Sequence, residues 1–167
     1  MATDEFELVR YRYKPEKIKI LFVGESRPVN GTFFYNENSN LYKNTKKAFD
    51  DFYQTNFFSL ERFKSLGCWL YDICNQPVNH LNAAARTEEI RSCILELENM
   101  IKLELPNYIV VCKRGSVRDI IRHSNIMVNY QENENIFFLP FPACGRQNEY
   151  RQQLIVVFEE IGIKKDN

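Results

Sequence analysis

The feature that most constrains the fold of this chain is an alternation of short apolar runs with longer segments of helical period. Apolar stripes at helical spacing begin at Leu41, Ile90 and Tyr150. The four apolar runs are residues 18–23, 69–74, 108–112 and 136–141. Strands that alternate with helices form βαβ units, in which helices cover both faces of a parallel sheet. The pattern predicts a three-layer α/β/α sandwich with a central four-stranded, mostly parallel sheet.

The ends of the second helical segment can also be predicted. Thr87 precedes the stripe that begins at Ile90 and is a suitable N-cap. Pro106 cannot continue a helix and follows the end of the same stripe. We therefore expect this helix to lie between these two residues.

Length and charge indicate a single domain over residues 1–167 without a general affinity for polyanions. The chain has 22 basic and 22 acidic residues, so any contact with phosphate must come from a local cluster. It has no apolar segment long enough to cross a bilayer and no basic, apolar leader, so we expect a cytoplasmic protein without membrane contact. Its five cysteines form no C-x-x-C pair, which predicts reduced, mostly buried thiols and neither a metal nor another cofactor.

The first predicted strand leads into GESRPVNGTFFY, residues 24–35. Ligands of such sheets bind beyond the carboxyl ends of the strands, so this loop is a candidate site. Gly24 permits close approach of a ligand, Phe33 and Phe34 offer flat rings, and Glu25 can orient water or stabilise a cation. The set suits a planar base joined to a sugar. The alternative is that Glu25 pairs with Arg27 and that the rings belong to the core.

The second predicted strand carries an acid, Asp72, inside the apolar sequence CWLYDIC. Burial of a polar group without a hydrogen bond costs on the order of 2–7 kcal/mol. A buried carboxylate must therefore be paired or hydrogen-bonded. Asp72 therefore needs a partner. The partner is either a ligand or the backbone of a neighbouring loop that Asp72 caps.

The third and fourth strand ends carry cations. CKRGSVR, residues 112–118, fits the C-x5-R loop of cysteine phosphatases, with Cys112 as nucleophile and Arg118 as phosphate ligand. In a milder interpretation, Lys113, Arg114 and Ser116 open a helix and hold a phosphate of a bound strand. After the fourth strand, Arg146 and Gln147 stand where a helix begins and could also bind phosphate, although a plain surface position is an equal alternative.

A further basic and aromatic segment precedes the first strand. It reads RYRYK and covers residues 10–14. Such a segment can contact nucleic acid. We favour the alternative, an edge segment that precedes the first strand.

These strand ends, taken in order, resemble the motifs of the uracil-DNA glycosylase superfamily. GES at 24–26 resembles the first motif, WLYDICNQPVN at 69–79 resembles the strand that reads the base, and FPACGRQ at 141–147 resembles the motif that opens the DNA-intercalating loop. The resemblance spans about residues 17 to 160. It implies that Glu25 positions water, that Phe34 or Phe33 stacks on an extruded base and that Asp72 reads the base edge. Phe141 stands where that family has a catalytic histidine.

The resemblance implies a divergent DNA glycosylase that hydrolyses the N-glycosidic bond of a flipped, damaged or modified base. Ser26, Arg27, Lys113, Arg114, Arg146 and Gln147 would then contact DNA phosphates or a nucleotide. An ionised Asp72 only accepts hydrogen bonds, so we expect no preference for uracil. The alternative is a binding module on the same fold that recognises a nucleotide or modified base without hydrolysis. Phe141, which cannot donate a hydrogen bond to a leaving base, favours that alternative.

Overall fold

A four-stranded parallel sheet forms the centre of the molecule. The structure is a computed structural model that describes residues 4–165. The strands are β1 (Ile20–Gly24), β2 (Cys68–Asp72), β3 (Tyr108–Val111) and β4 (Ile136–Phe138), in the spatial order β2-β1-β3-β4. All neighbouring pairs are parallel. The predicted sheet is therefore confirmed, and its order reverses at β1, which has β2 on one side and β3 on the other.

Within residues 4–165, six α-helices surround the sheet. They are α1 (Glu5–Arg12), α2 (Asn40–Tyr53), α3 (Leu60–Ser65), α4 (Ala83–Glu104), α5 (Ser116–Arg122) and α6 (Gln147–Glu160). Short 3-10 turns lie at Phe34–Asn36 and Asn125–Val128. Helix α2 packs against α6, and α4 packs against α5, so that the sheet lies between two helical layers. The three-layer α/β/α architecture is thus confirmed.

The strands are buried because each presents apolar side chains to both helical layers. All five residues of β1 and all five of β2 are buried. Trp69 on β2 is fully buried, and its Nε1 donates to the backbone oxygen of Arg10, 3.1 Å away. This bond fixes α1 beside β2, the edge strand. The segment 10–14, expected at an edge before the first strand, lies largely in this helix against β2.

The predicted start of α4 is wrong by five residues. Asn82 is the N-cap, and its side chain accepts a hydrogen bond from the backbone of Ala85. Thr87 lies inside the first turns, where its hydroxyl donates to the oxygen of Ala83 at 2.8 Å. The helix ends at Glu104, two residues before Pro106, as the proline predicts.

The longest helix, α4, has 22 residues and is rich in charged side chains. Across residues 4–165, no helix combines the length and the apolar character that a membrane span requires. The cysteines are free, with Cys68, Cys74 and Cys112 buried, Cys93 half-buried and Cys144 exposed.

Candidate functional site

The loops that follow β1 and β2 form one unit at the carboxyl edge of the sheet. Gly24 and Asp72 are register partners at the ends of the two strands. The hydroxyl of Ser26 accepts from the backbone of Val78 at 3.2 Å, and Asn79 accepts from the backbone of Val29 at 3.0 Å. These bonds join the GESRP loop to the loop after β2. Residues far apart in the chain are therefore held together at the edge where a ligand is expected.

A cavity of ≈ 440 Å³ opens at this edge. Its volume is within the range of about 300–1,000 Å³ typical of small-molecule sites. It is lined by Ser26, Arg27, Pro28, Asn30, Thr32, Phe33, Phe34, Asn38, Ser39, Asn40, Leu41, Lys43, Leu70, Asp72 and Phe141. The structure thus brings five predicted site residues and Phe141 into one cavity. The lining combines rings, amides, two cations and one carboxylate.

Asp72 is buried and has a cationic partner that the sequence did not indicate. Arg10, only 1% exposed, donates from Nη2 to Oδ2 of Asp72 at 2.8 Å. The same guanidinium pairs with Glu7. Burial raises the pKa of Asp72, and the neighbouring Arg10 counteracts part of that rise. The partner of Asp72 is therefore neither a ligand nor a capped loop, and among residues 4–165 only Oδ2 of its two oxygens has a hydrogen-bond partner.

Gly24 is required beside this carboxylate. A Cβ built on Gly24 would overlap Oδ1 of Asp72. The glycine is needed here for space, since its backbone is not left-handed. The absent side chain lets the carboxylate of Asp72 lie directly against the end of β1.

Glu25 is buried just past β1 and is neutralised by two cations. Arg86, in the first turn of α4, donates to Oε1 from Nε at 2.7 Å and also from Nη2. Lys113, which follows β3, lies 3.7 Å from Oε2. Glu25 does not line the cavity. Its partners are Arg86 and Lys113, whereas the alternative interpretation expected Arg27.

The predicted stacking rings are mostly inside the core. Phe33 is 1% exposed and Phe34 is 3% exposed, so only a small part of either ring reaches the cavity. Phe34 contacts the rings of Tyr35 and Phe63. Phe141 is half-buried and lines the same cavity, with Nζ of Lys113 at 5.3 Å from its ring centroid. Of the three phenylalanines, Phe141 has the most ring surface available for stacking.

The predicted phosphate contacts separate into two groups. Ser26 and Arg27 line the cavity, and Lys113 lies next to Glu25. Arg114 instead bonds Glu149 at 3.0 Å and Gln153 at 2.7 Å, which fixes α6 against the end of β3. Arg146 and Gln147 lie at the start of α6, outside the cavity lining. Ser116 begins α5 and is also outside it.

The C-x5-R pattern lacks the environment of a reactive thiol. Cys112 is fully buried, and burial raises its pKa to about 12. Its Sγ lies 3.8 Å from the hydroxyl of Tyr150. Arg118 is bound to Glu132 at 2.5 Å. A nucleophilic cysteine needs a thiolate open to its substrate, so the geometry disfavours cysteine phosphatase chemistry.

Three charged residues at this edge were not identified from the sequence. In the sequence, Arg10 belongs to the basic, aromatic segment 10–14, and nothing in that segment distinguishes a buried arginine from an exposed one. Arg86 and Lys43 occupy first turns of α4 and α2, whose N-termini are at the carboxyl edge of a parallel sheet. That position is the signal that could have identified them.

The residues that the structure describes, 4–165, contain no group of three or more His, Cys, Asp or Glu side chains that could hold a metal. Among known proteins, no family model matches the chain, and no curated protein matches it. The interpretation of the site therefore depends on its own geometry.

Proposed function

We propose that this chain recognises a nucleobase, presented by a nucleotide or by a nucleic acid strand, in the cavity at the carboxyl ends of β1 and β2. The observation that carries the proposal is the placement of a buried carboxylate, Asp72, and a half-buried ring, Phe141, in the lining of one cavity of ≈ 440 Å³. A flat apolar wall with a few convergent polar groups is the usual composition of a base pocket. Arg27 and Lys43, in the same lining, are suited to the charge of a phosphate.

Recognition without hydrolysis is the favoured activity because Glu25 is occupied. Arg86 and Lys113 both neutralise this carboxylate. A carboxylate whose charge is compensated in this way stabilises a developing sugar cation less well than a free one. Phe141, moreover, offers no hydrogen bond to a departing base.

Hydrolysis of an N-glycosidic bond is the second candidate, and the position of Glu25 favours it. Glu25 follows Gly24, the register partner of Asp72, so the two carboxylates come from adjacent strand ends. Their proximity is sufficient for Glu25 to raise the pKa of Asp72, as a contribution secondary to burial. A ligand phosphate that attracted Arg86 and Lys113 would release Glu25 toward the sugar.

A binding assay with a ring variant tests the favoured proposal. Stacking contributes about 1–3 kcal/mol per base, so Phe141→Ala should weaken binding of a fluorescent single-stranded oligonucleotide or nucleotide by about 5- to 150-fold. Phe57→Ala is the matched control, because Phe57 is also half-buried but lies outside the cavity. Equal affinity of the Phe141→Ala variant and the wild type would contradict the proposal.

Incubation with oligonucleotides that carry a panel of base lesions, followed by alkali, tests hydrolysis. Strand breaks that disappear in Glu25→Gln would establish the second candidate. Binding without breaks across the panel would support recognition alone.

A further inference from the structure

At Asp72, one end of the cavity offers a carboxylate oxygen as a hydrogen-bond acceptor. Oδ2 of Asp72 is bonded to Arg10, whereas within residues 4–165 Oδ1 has no hydrogen-bond partner. Arg10 is itself fully buried between Asp72 and Glu7 and cannot turn toward a ligand. An ionised carboxylate oxygen accepts and never donates. This end therefore suits a base edge that presents an N–H, and it repels a carbonyl oxygen.

The loop between β1 and α2 adds donors of fixed orientation. Oδ1 of Asn38 accepts from the backbone of Phe33 at 2.8 Å. Oδ1 of Asn30 accepts from the backbone and the hydroxyl of Thr32 at 3.1 and 2.9 Å. These bonds orient both amides, so that each NH₂ group remains available as a donor. Both residues line the cavity, where their amides can meet acceptor atoms of a base or sugar.

Two cations in the lining have unused hydrogen-bonding capacity. The guanidinium carbon of Arg27 lies 4.0 Å from the ring centroid of Phe6. Its Nη2 lies 3.7 Å from Oδ2 of Asp4, a distance that is too long for a hydrogen bond. Its Nε is buried and has no hydrogen-bond partner in the part of the chain that the structure describes. Within residues 4–165, Lys43 forms no ion pair. The two residues can therefore donate to an anionic group.

We propose that the cavity binds a nucleoside 5′-monophosphate whose base carries an exocyclic amino group, as cytosine and adenine do. The amino group donates to Oδ1 of Asp72, and Arg27 and Lys43 bind the phosphate. Arg10 acts as a positioning residue that holds the carboxylate as an acceptor. The inference rests on the proposed nucleobase recognition and adds the class of base and the phosphate.

Calorimetric titration with two pairs of nucleotides tests the base. CMP and UMP, like AMP and IMP, differ at the exocyclic position, where an amino group replaces an oxo group, and at the adjacent ring nitrogen, which carries a hydrogen only in the oxo base. An oxo base can donate to Oδ1 only through that ring N–H, which brings its carbonyl oxygen next to the carboxylate. An unsatisfied buried acceptor is costly, so the wild type should bind each amino nucleotide about tenfold or more tightly than its oxo partner. In Asp72→Asn, whose amide can donate, the preference should disappear or reverse. Circular dichroism spectra and thermal midpoints would show that the variant is folded.

Titration with cytidine beside CMP tests the phosphate end. Arg27→Gln and Lys43→Gln should each weaken CMP binding by about three- to tenfold and leave cytidine binding unchanged. Lys47→Gln is the matched control, because Lys47 lies one turn further along α2, pairs with Asp51 and does not line this cavity. A loss in the control as large as that in Lys43→Gln would overturn the phosphate assignment.

Comparison of CMP with an oligonucleotide that has a 5′-phosphorylated terminal cytidine distinguishes a free nucleotide from a strand terminus as the ligand. Tighter binding of CMP identifies a free nucleotide, and tighter binding of the oligonucleotide identifies a strand terminus. Binding of all four nucleotides with equal affinity would overturn the inferred preference for an exocyclic amino group but would agree with the proposed recognition of a nucleobase. Absence of binding of every nucleoside and nucleotide would overturn base recognition itself.

Discussion

Replacement of Arg10 by methionine tests the buried charges beneath the cavity. Arg10 is 1% exposed and donates to Asp72 at 2.8 Å, so its removal leaves a carboxylate in a site nearly closed to water. Methionine retains much of the apolar stem of the arginine and therefore limits the loss of packing. The change thus isolates the loss of the guanidinium.

The expected loss of unfolding free energy is about 3–5 kcal/mol, the usual cost of leaving one partner of a buried ion pair alone. The guanidinium also lies 5.4 Å from the ring centroid of Phe33 and 5.2 Å from that of Tyr71, and each contact contributes about 1 kcal/mol. Uptake of a proton by Asp72 offsets part of the loss, because burial raises its pKa. A loss of this size is a large fraction of the 5–15 kcal/mol typical of a domain.

Urea unfolding of Arg10→Met, Asp72→Asn and the double variant at neutral pH measures the coupling. The double variant should lose less than the sum of the two single losses, with a coupling energy on the order of 1–3 kcal/mol. Arg12→Met is the matched control, since Arg12 lies on the same helix and is exposed. Its expected effect is within about 0.5 kcal/mol.

A loss in Arg10→Met no larger than that in Arg12→Met would show that the buried ion pair does not stabilise the fold. Additive losses in the double variant would mean that Arg10 and Asp72 do not interact.

Three further predictions follow from the site and from the buried thiols. Gly24→Ala should cost about 1–3 kcal/mol in urea unfolding, because the new Cβ overlaps the Asp72 carboxylate; the cost should shrink in an Asp72→Ala background. Binding of CMP, measured by calorimetry across pH, should weaken as pH falls through the pKa of Asp72, which burial raises above 3.8, because only the ionised form is purely an acceptor. Mass spectrometry after brief treatment of the folded protein with iodoacetamide should show modification at the exposed Cys144 and protection of Cys112, whose pKa burial raises to about 12.

Each of these three predictions can be contradicted by a specific experimental result. A Gly24→Ala cost that is unchanged by removal of the Asp72 carboxylate would show that the overlap is not its cause. CMP affinity that rises on acidification would reverse the sign argued for the carboxylate. Rapid native labelling of Cys112 would contradict its burial.

The alternation of apolar runs and helical stripes was sufficient to predict the α/β/α layers, because strands buried on both faces read as short continuous apolar runs. The placement of candidate residues after β1 and β2 followed from the same rule, since parallel strands end at one edge. Asp72 was recognised as a buried acid in need of a partner. These inferences depend on local pattern and on topology alone.

The partners of the charged residues could not be predicted, because an ion pair depends on tertiary packing. Arg10 is 62 residues from Asp72, and Arg86 is 61 residues from Glu25. The burial of Phe33 and Phe34 also could not be predicted, because an aromatic pair in a loop has the same sequence whether it faces a cavity or the core. The first turn of α4 was misplaced because Asn82 and Thr87 are both acceptable caps.

Whether a nucleobase binds in the cavity with its edge at Asp72 can be determined from a crystal structure of the protein soaked with CMP. We expect density for the base between Phe141 and Asp72, with the exocyclic nitrogen within about 3 Å of Oδ1 and the phosphate next to Arg27. Nucleotide density at another surface, with the Asp72 cavity unoccupied, would contradict it.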